Sequence, residues 1–199
     1  MNLLHSIIEH AEQIGVGLAA VIAIWWKIHR ESRKWKAIHD VSVASILKSI
    51  KLQIMAAVDR ADEDKIHTLG IQFEGGIYVA IPVIIGASYC PWPGLTLTGL
   101  RSNKETTHYS LETSQPTALV RHQHDGYQEE VTVEDGTMTD LDKGTVYRKG
   151  ETWVISPGVP HRVFFEAHGL FLCRLSPALP LAKDHPVNVD RLHELEVLT

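Results

Sequence analysis

From about Gly75 onward the chain is a series of short runs rich in β-branched and aromatic residues: "IYVAIPVII", "LTLTGL", "THYSLET", "TALVRHQH", "QEEVTV", "TVYRKG", "ETWVIS", "HRVFFE" and "LFLCRL". Gly, Pro and Asp separate them. Runs of this length at near-regular spacing predict a sandwich or barrel of short strands. No helical period longer than two turns interrupts them until the tail, 181–199, where Val189, Leu192, Leu195 and Leu198 predict one short amphipathic helix. With 199 residues the chain has room for one well-packed domain and an appendage.

Charge narrows the partners. Residues 1–72 carry 9 basic and 8 acidic side chains, and residues 73–199 carry 10 basic and 16 acidic ones, so the β-rich part has no global attraction to nucleic acid. The two cysteines, Cys90 and Cys173, are too few for a disulfide framework and lack a metal-type spacing; both read as reduced, buried thiols.

Two helices are expected before the strands. "IGVGLAAVIAIWW", residues 14–26, carries no charge; Glu9 and Glu12 precede it, and Lys27, Arg30, Arg33, Lys34 and Lys36 follow. Thirteen helical residues span only about 20 Å against roughly 30 Å of bilayer core, which suits a buried or interfacial helix. Trp25 and Trp26 at the end of the run, the adjoining basic cluster and a snorkelling Lys27 favour membrane contact. We therefore read residues 1–36 as a membrane anchor over 14–28, with the remainder of the chain on the cytoplasmic side; the alternative is a wholly cytoplasmic protein. Gly15, Ala19 and Ala23 form a small-residue face suited to close helix packing. Residues 37–72 read as an amphipathic connector helix, with Val43, Ile46, Leu47, Ile50, Ile54 and Val58 on one face.

Within the strands, side chains alternate between faces. In "TALVRHQH", Ala118, Val120, His122 and His124 are expected to share a face; in the next run Glu129 travels with Val131 and Val133. An inward carboxylate beside two inward imidazoles is costly to bury unless a cation lies between them. Further on, "GETWVISPGVPHRVFF" places a rigid turn at Pro157, Gly158 and Pro160, and starts a strand at His161 in register with Val163 and Phe165.

These residues resemble the two motifs of the cupin superfamily. His122, His124, Glu129 and Gly136 match the first motif, and Gly150, Gly158 and His161 match the second. Pro116, Ser156 and Phe165 depart from it at positions where the family carries Gly, Pro and Asn. The resemblance covers about residues 80–178. It implies a mainly β fold, a single cupin double-stranded β-helix or jelly-roll barrel over 73–180 preceded by the two α-helices. It also implies a divalent metal held by His122, His124, Glu129 and His161, Fe(II) or Mn(II) most often. Three imidazoles and a carboxylate also suit Zn, Ni or Cu.

Two functions follow from that expectation. The first is a membrane-associated metal-binding cupin that binds a small molecule in the barrel, as a ligand sensor or binding module; the N-terminal helices favour it. The second is an Fe(II)-dependent dioxygenase or a metal-assisted isomerase. Homo-oligomers are expected, because cupins commonly pair through their sheets. Tyr127, Tyr147 and Arg148 are candidate pocket residues, and Trp153 reads as core. Deleting residues 1–36 is expected to move the protein out of the membrane fraction; cell fractionation checks it, and a deletion that stays with the membrane rules the anchor out.

Overall fold

The computed structural model describes residues 47–197, within one compact unit, Ala44–Thr199. The expected anchor, its basic flank and small-residue face, and Val43 and Ile46 of the connector lie outside the described residues. Among the described residues no helix is long and apolar enough to cross a membrane.

A helix covers residues 47–58. It buries Leu47, Ile50, Ile54 and Ala57 and exposes Leu52 and Met55, the stripe that its three- and four-residue spacing predicts. The helix does not continue through residue 72. After a polar turn the chain enters strand β1 (Ile66–Phe73), which pairs along its length with β2 (Tyr78–Ile84), from Ile66 opposite Ile84 to Gln72 opposite Tyr78. The connector stretch therefore ends in strand, because the backbone groups of 66–73 find their partners in a neighbouring chain segment and not within a helix.

The remaining strands are β3 (Ser88–Trp92), β4 (Leu95–Ser102), β5 (Thr107–Thr113), β6 (Thr117–Ala118), β7 (His122–Gln123), β8 (Gln128–Asp135), β9 (Thr137–Asp140), β10 (Thr145–Arg148), β11 (Thr152–Ile155), β12 (Val163–Phe165) and β13 (Leu170–Ser176). They form a six-stranded sheet, β11-β8-β13-β5-β4-β3, a four-stranded sheet, β10-β9-β12-β6, and a three-stranded sheet, β2-β1-β7. The fold is mainly β as expected, yet its sheets do not close into one continuous barrel.

The run 117–124 shows why. It is not one strand: β6 pairs with β12, the chain breaks at 119–121, and β7 pairs with β1. Changing sheets resets the alternation, so Thr117 is buried and Ala118 exposed, whereas His122 and His124 are buried. The face that Ala118 was expected to share with the histidines is thus lost, although the histidines point inward.

The C-terminal segment is held to the first two strands. Thr68 N–H donates to the Pro180 carbonyl (2.9 Å), Ala182 N–H to Ile66 (2.8 Å), and Ala80 and Asn188 exchange two backbone bonds of 2.9 Å each. This cover explains the continuous apolar run of β2, in which Val79 through Ile84 are all buried. Val189, Leu192 and Leu195 are buried as the tail pattern predicts, but Leu192 and Leu195 sit on a 3-10 helix, Leu192–Val197, and Leu198 lies outside the described residues.

One buried carboxylate ties the core to a loop. Asp140 accepts from the Trp153 indole N–H (3.0 Å) and from the backbone N–H groups of Asp142 (3.0 Å) and Lys143 (3.1 Å). Burial opposes its ionisation, yet these donors outweigh burial and hold its pKa below the usual value. A depressed native pKa adds stability that is present above the unfolded value, about 3.9, and lost as pH falls through the native one. Asp140→Ala is expected to lower the unfolding free energy at neutral pH by about 1–3 kcal/mol, since it strands buried donors. Urea titrations at several pH values check this, and the difference from the parent protein should shrink below about pH 4.

Candidate metal centre

The two motif regions are brought together by the pairing of β11 with β8 and, at the histidines, by a backbone bridge. His122 and His161 face each other across it: His122 N–H donates to the His161 carbonyl (2.9 Å) and His161 N–H to the His122 carbonyl (2.8 Å). Their rings lie 4.3 Å apart between centroids. A second tie comes from the turn before His161, where Gly158 N–H donates to the His124 carbonyl (3.0 Å). Gly158 has φ 70°, which a side chain would strain. Gly136, between β8 and β9, has φ 79°, and a Cβ there would come within 2.9 Å of the Gly169 Cα. Of the three departures from the family pattern, Pro116 and Ser156 are exposed, and Phe165 is buried against Phe171 with ring centroids 4.6 Å apart.

All four residues expected from the sequence converge. His122, His124 and His161 are buried and each offers one ligand atom within 4.8 Å of the others. Glu129, also buried, touches two of them: its Oε2 lies 3.3 Å from His124 Nε2 and 3.6 Å from His161 Nε2. Glu129 reaches this point because β8 is held between β11 and β13, with Ile155 and Leu175 opposite it.

Ring orientation is set from behind. His122 Nδ1–H donates to the Val120 carbonyl (2.7 Å), His161 Nδ1–H to Val159 (3.0 Å), and His124 Nδ1–H to Gly70 at a longer 3.4 Å. A carbonyl only accepts, so each Nδ1 carries the hydrogen; in the neutral rings of His122 and His161 the lone pair is then on Nε2, while His124 Nε2 faces the Glu129 carboxylate. The Nε2 of His161 is buried and has no hydrogen-bond partner. Lone pairs converging beside a carboxylate oxygen fit a divalent cation, which would satisfy all of them; outward Nδ1–H bonds are how metal-ligating imidazoles are ordinarily held.

The electrostatics agree. Burial first, then the like charges of His124 and His161, push the His122 pKa down to about 3. Burial likewise lowers His161. For His124, burial acts downward but the Glu129 carboxylate outweighs it and raises the pKa. In the reverse direction, burial acts upward on Glu129 but the His124 charge and hydrogen bond pull its pKa well below the carboxylate range.

A cavity of about 90 Å3 opens onto the four side chains and is walled by residues of all three sheets, among them Leu69, Val79, Leu97, Leu111, Met138 and Phe165. Trp153 is core as expected, yet it also lines this cavity and packs edge-on against His161 at 5.2 Å. Tyr127, Tyr147 and Arg148 are not among the lining residues. Cys173 is buried, and burial followed by the Glu129 charge drives its pKa up, so it is a thiol and not a thiolate.

The sequence reading missed Tyr109. Its hydroxyl donates to Glu129 Oε1 at 2.7 Å, engaging the carboxylate oxygen that the histidines do not approach. The alternation of "THYSLET" puts Tyr109 on the inward face with Thr107 and Leu111, but nothing in the pattern pairs it with Glu129.

The two motifs in order, the bridge between them and the histidine cluster they build are the arrangement that the resemblance to the cupin superfamily implies. No protein-family model matches the sequence, and no curated protein is significantly similar to it. Solved structures that it is similar to include KdgF from a Halomonas species (14% identity, covering 48% of this chain and 94% of that one, TM-score 0.42). An RmlC-like cupin from Shewanella frigidimarina aligns at 19% identity over 48% of this chain and 90% of that one, TM-score 0.43. An acetylacetone dioxygenase from Acinetobacter johnsonii aligns at 20% identity over 47% and 70%, TM-score 0.39. No activity is carried across from them.

Tyr109→Phe is expected to raise the Glu129 pKa, because it deletes a hydrogen bond to the ionised form, and to destabilise the fold by about 1–3 kcal/mol. Carbon-detected NMR titration of the glutamate carboxyls and thermal unfolding check both; an unmoved Glu129 would contradict the assignment.

Proposed function

We propose that the protein is a metal-dependent enzyme of the cupin type, holding one divalent cation through His122, His124, Glu129 and His161 and acting on a small molecule. The observation that carries this reading is the convergence of three imidazoles, one with a buried unpartnered Nε2, in the lining of a cavity. When bound, the cation would supply Lewis-acid or redox chemistry to a ligand oxygen or nitrogen. Iron(II) or manganese(II) agrees with the family expectation, and the ligand set also accepts zinc, nickel or copper.

The chain's own residues support such chemistry. Glu129 balances the positive charge and is held ionised. Tyr109 holds one oxygen of that group in place. Apolar walls exclude water, which strengthens every charge interaction at the histidine cluster. A ligand sensor would use the same buried centre, and residues 1–36, which favour that reading, lie outside the described residues.

His122→Ala and His161→Ala are each expected to remove most of the bound metal while leaving the far-ultraviolet circular dichroism unchanged. Metal analysis of purified protein checks this, and full metal content in His122→Ala would refute the site. Oxygen uptake by the loaded protein with candidate thiols and diketones then separates the two functions. Consumption coupled to product is the expected result; tight binding with no turnover would favour a sensor.

A further inference from the structure

We infer that the guest of this cavity is a small, mainly hydrocarbon molecule that presents a single polar group to the histidines and carries neither charge nor hydrogen-bonding group elsewhere. The inference rests on the reading that the centre serves a small molecule, and it names the chemical class of that molecule. It follows from what the lining lacks. Apart from the three histidines and Glu129, the side chains that face the cavity are aliphatic or aromatic, with no Lys, Arg, Asp, Asn, Gln, Ser or Thr among them.

The few polar atoms in the wall are already engaged. The Tyr109 hydroxyl donates to Glu129 (2.7 Å) and the Trp153 indole N–H to Asp140 (3.0 Å), while the histidine Nδ1 atoms are turned to backbone carbonyls. What stays available is the histidine cluster, where His161 Nε2 has no partner. The half-buried lining residues Ile71, Phe73, Leu119 and Val120 add no polar side chain, and the Trp92 indole is the one further side-chain donor of the lining.

Charged guests and polyols are therefore disfavoured. A carboxylate or ammonium away from the histidines would be desolvated with no opposite charge to meet, and each added hydroxyl would lose its water partners without replacement. Size sets a second bound. The volume, about 90 Å3, is of the same order as the roughly 150 Å3 apolar cavity that takes up benzene. A ring of about six atoms bearing one polar group is the upper end of the matching scale.

Cyclohexanol, 1,4-cyclohexanediol and 4-aminocyclohexanol test this, since they share one skeleton and one hydroxyl and differ only at the far end. Titrations of the full-length protein, metal-loaded and metal-free, are read by calorimetry and by shifts in the protein NMR spectrum. Cyclohexanol is expected to bind at least about tenfold more tightly than either of the others, the usual scale for a buried group left without a partner. Leu97→Phe, which fills the cavity, is expected to weaken cyclohexanol at least tenfold. If that variant does not fold, Leu119→Trp at a half-buried lining position gives the same readout. Equal or tighter binding of the diol or the amino alcohol overturns the inference, as does a protein left unchanged by cyclohexanol at its solubility limit. Cyclohexanol preference in a chain that takes up no metal would support the guest class while sinking the metal-enzyme reading.

Discussion

The pair of backbone hydrogen bonds between His122 and His161 is the interaction on which the rest of the site depends. It joins a strand of the three-stranded sheet to the residue that leads into a strand of the four-stranded sheet, and it brings two imidazoles together with ring centroids 4.3 Å apart. Because backbone groups make it, the bridge is indifferent to which side chains it carries. The chain uses that freedom to mount ligand-type residues where strands meet, inside a low-dielectric interior where unpartnered lone pairs are costly.

Around that bridge the protein divides its labour between polar and apolar groups. Backbone carbonyls of Val120, Val159 and Gly70 orient the rings, and Tyr109 orients Glu129, so the converging atoms are fixed from outside the cavity. The walls then contribute water exclusion and shape. The same division accounts for Trp153, whose indole N–H is anchored on Asp140 while its ring lies against His161, making a core residue also a support for the site.

How much of this was legible beforehand differs by kind of feature. Glu129, Val131 and Val133 lie on one uninterrupted strand, so alternation alone placed the carboxylate inward. His122 and His124 were read inward on the assumption of one strand from Thr117 to His124; they do point inward, but Ala118 does not, because the chain changes sheets in between. The helix over 47–58 followed from its apolar spacing, and the polar cluster Asp59–Lys65 marks its end; β1, just beyond, was assigned to the connector because its run was not read as a strand.

By itself the sequence determined the ligand types, their spacing within each motif and the strand-rich texture, since all three depend on near neighbours along the chain. Tertiary structure alone decided that Tyr109 would meet Glu129, that the tail would cover β2, that the sheets would stay separate and that the cavity would be walled almost wholly by hydrocarbon. Those outcomes join residues distant in sequence, and the register of one strand against another, which no local pattern encodes, selects which of them touch.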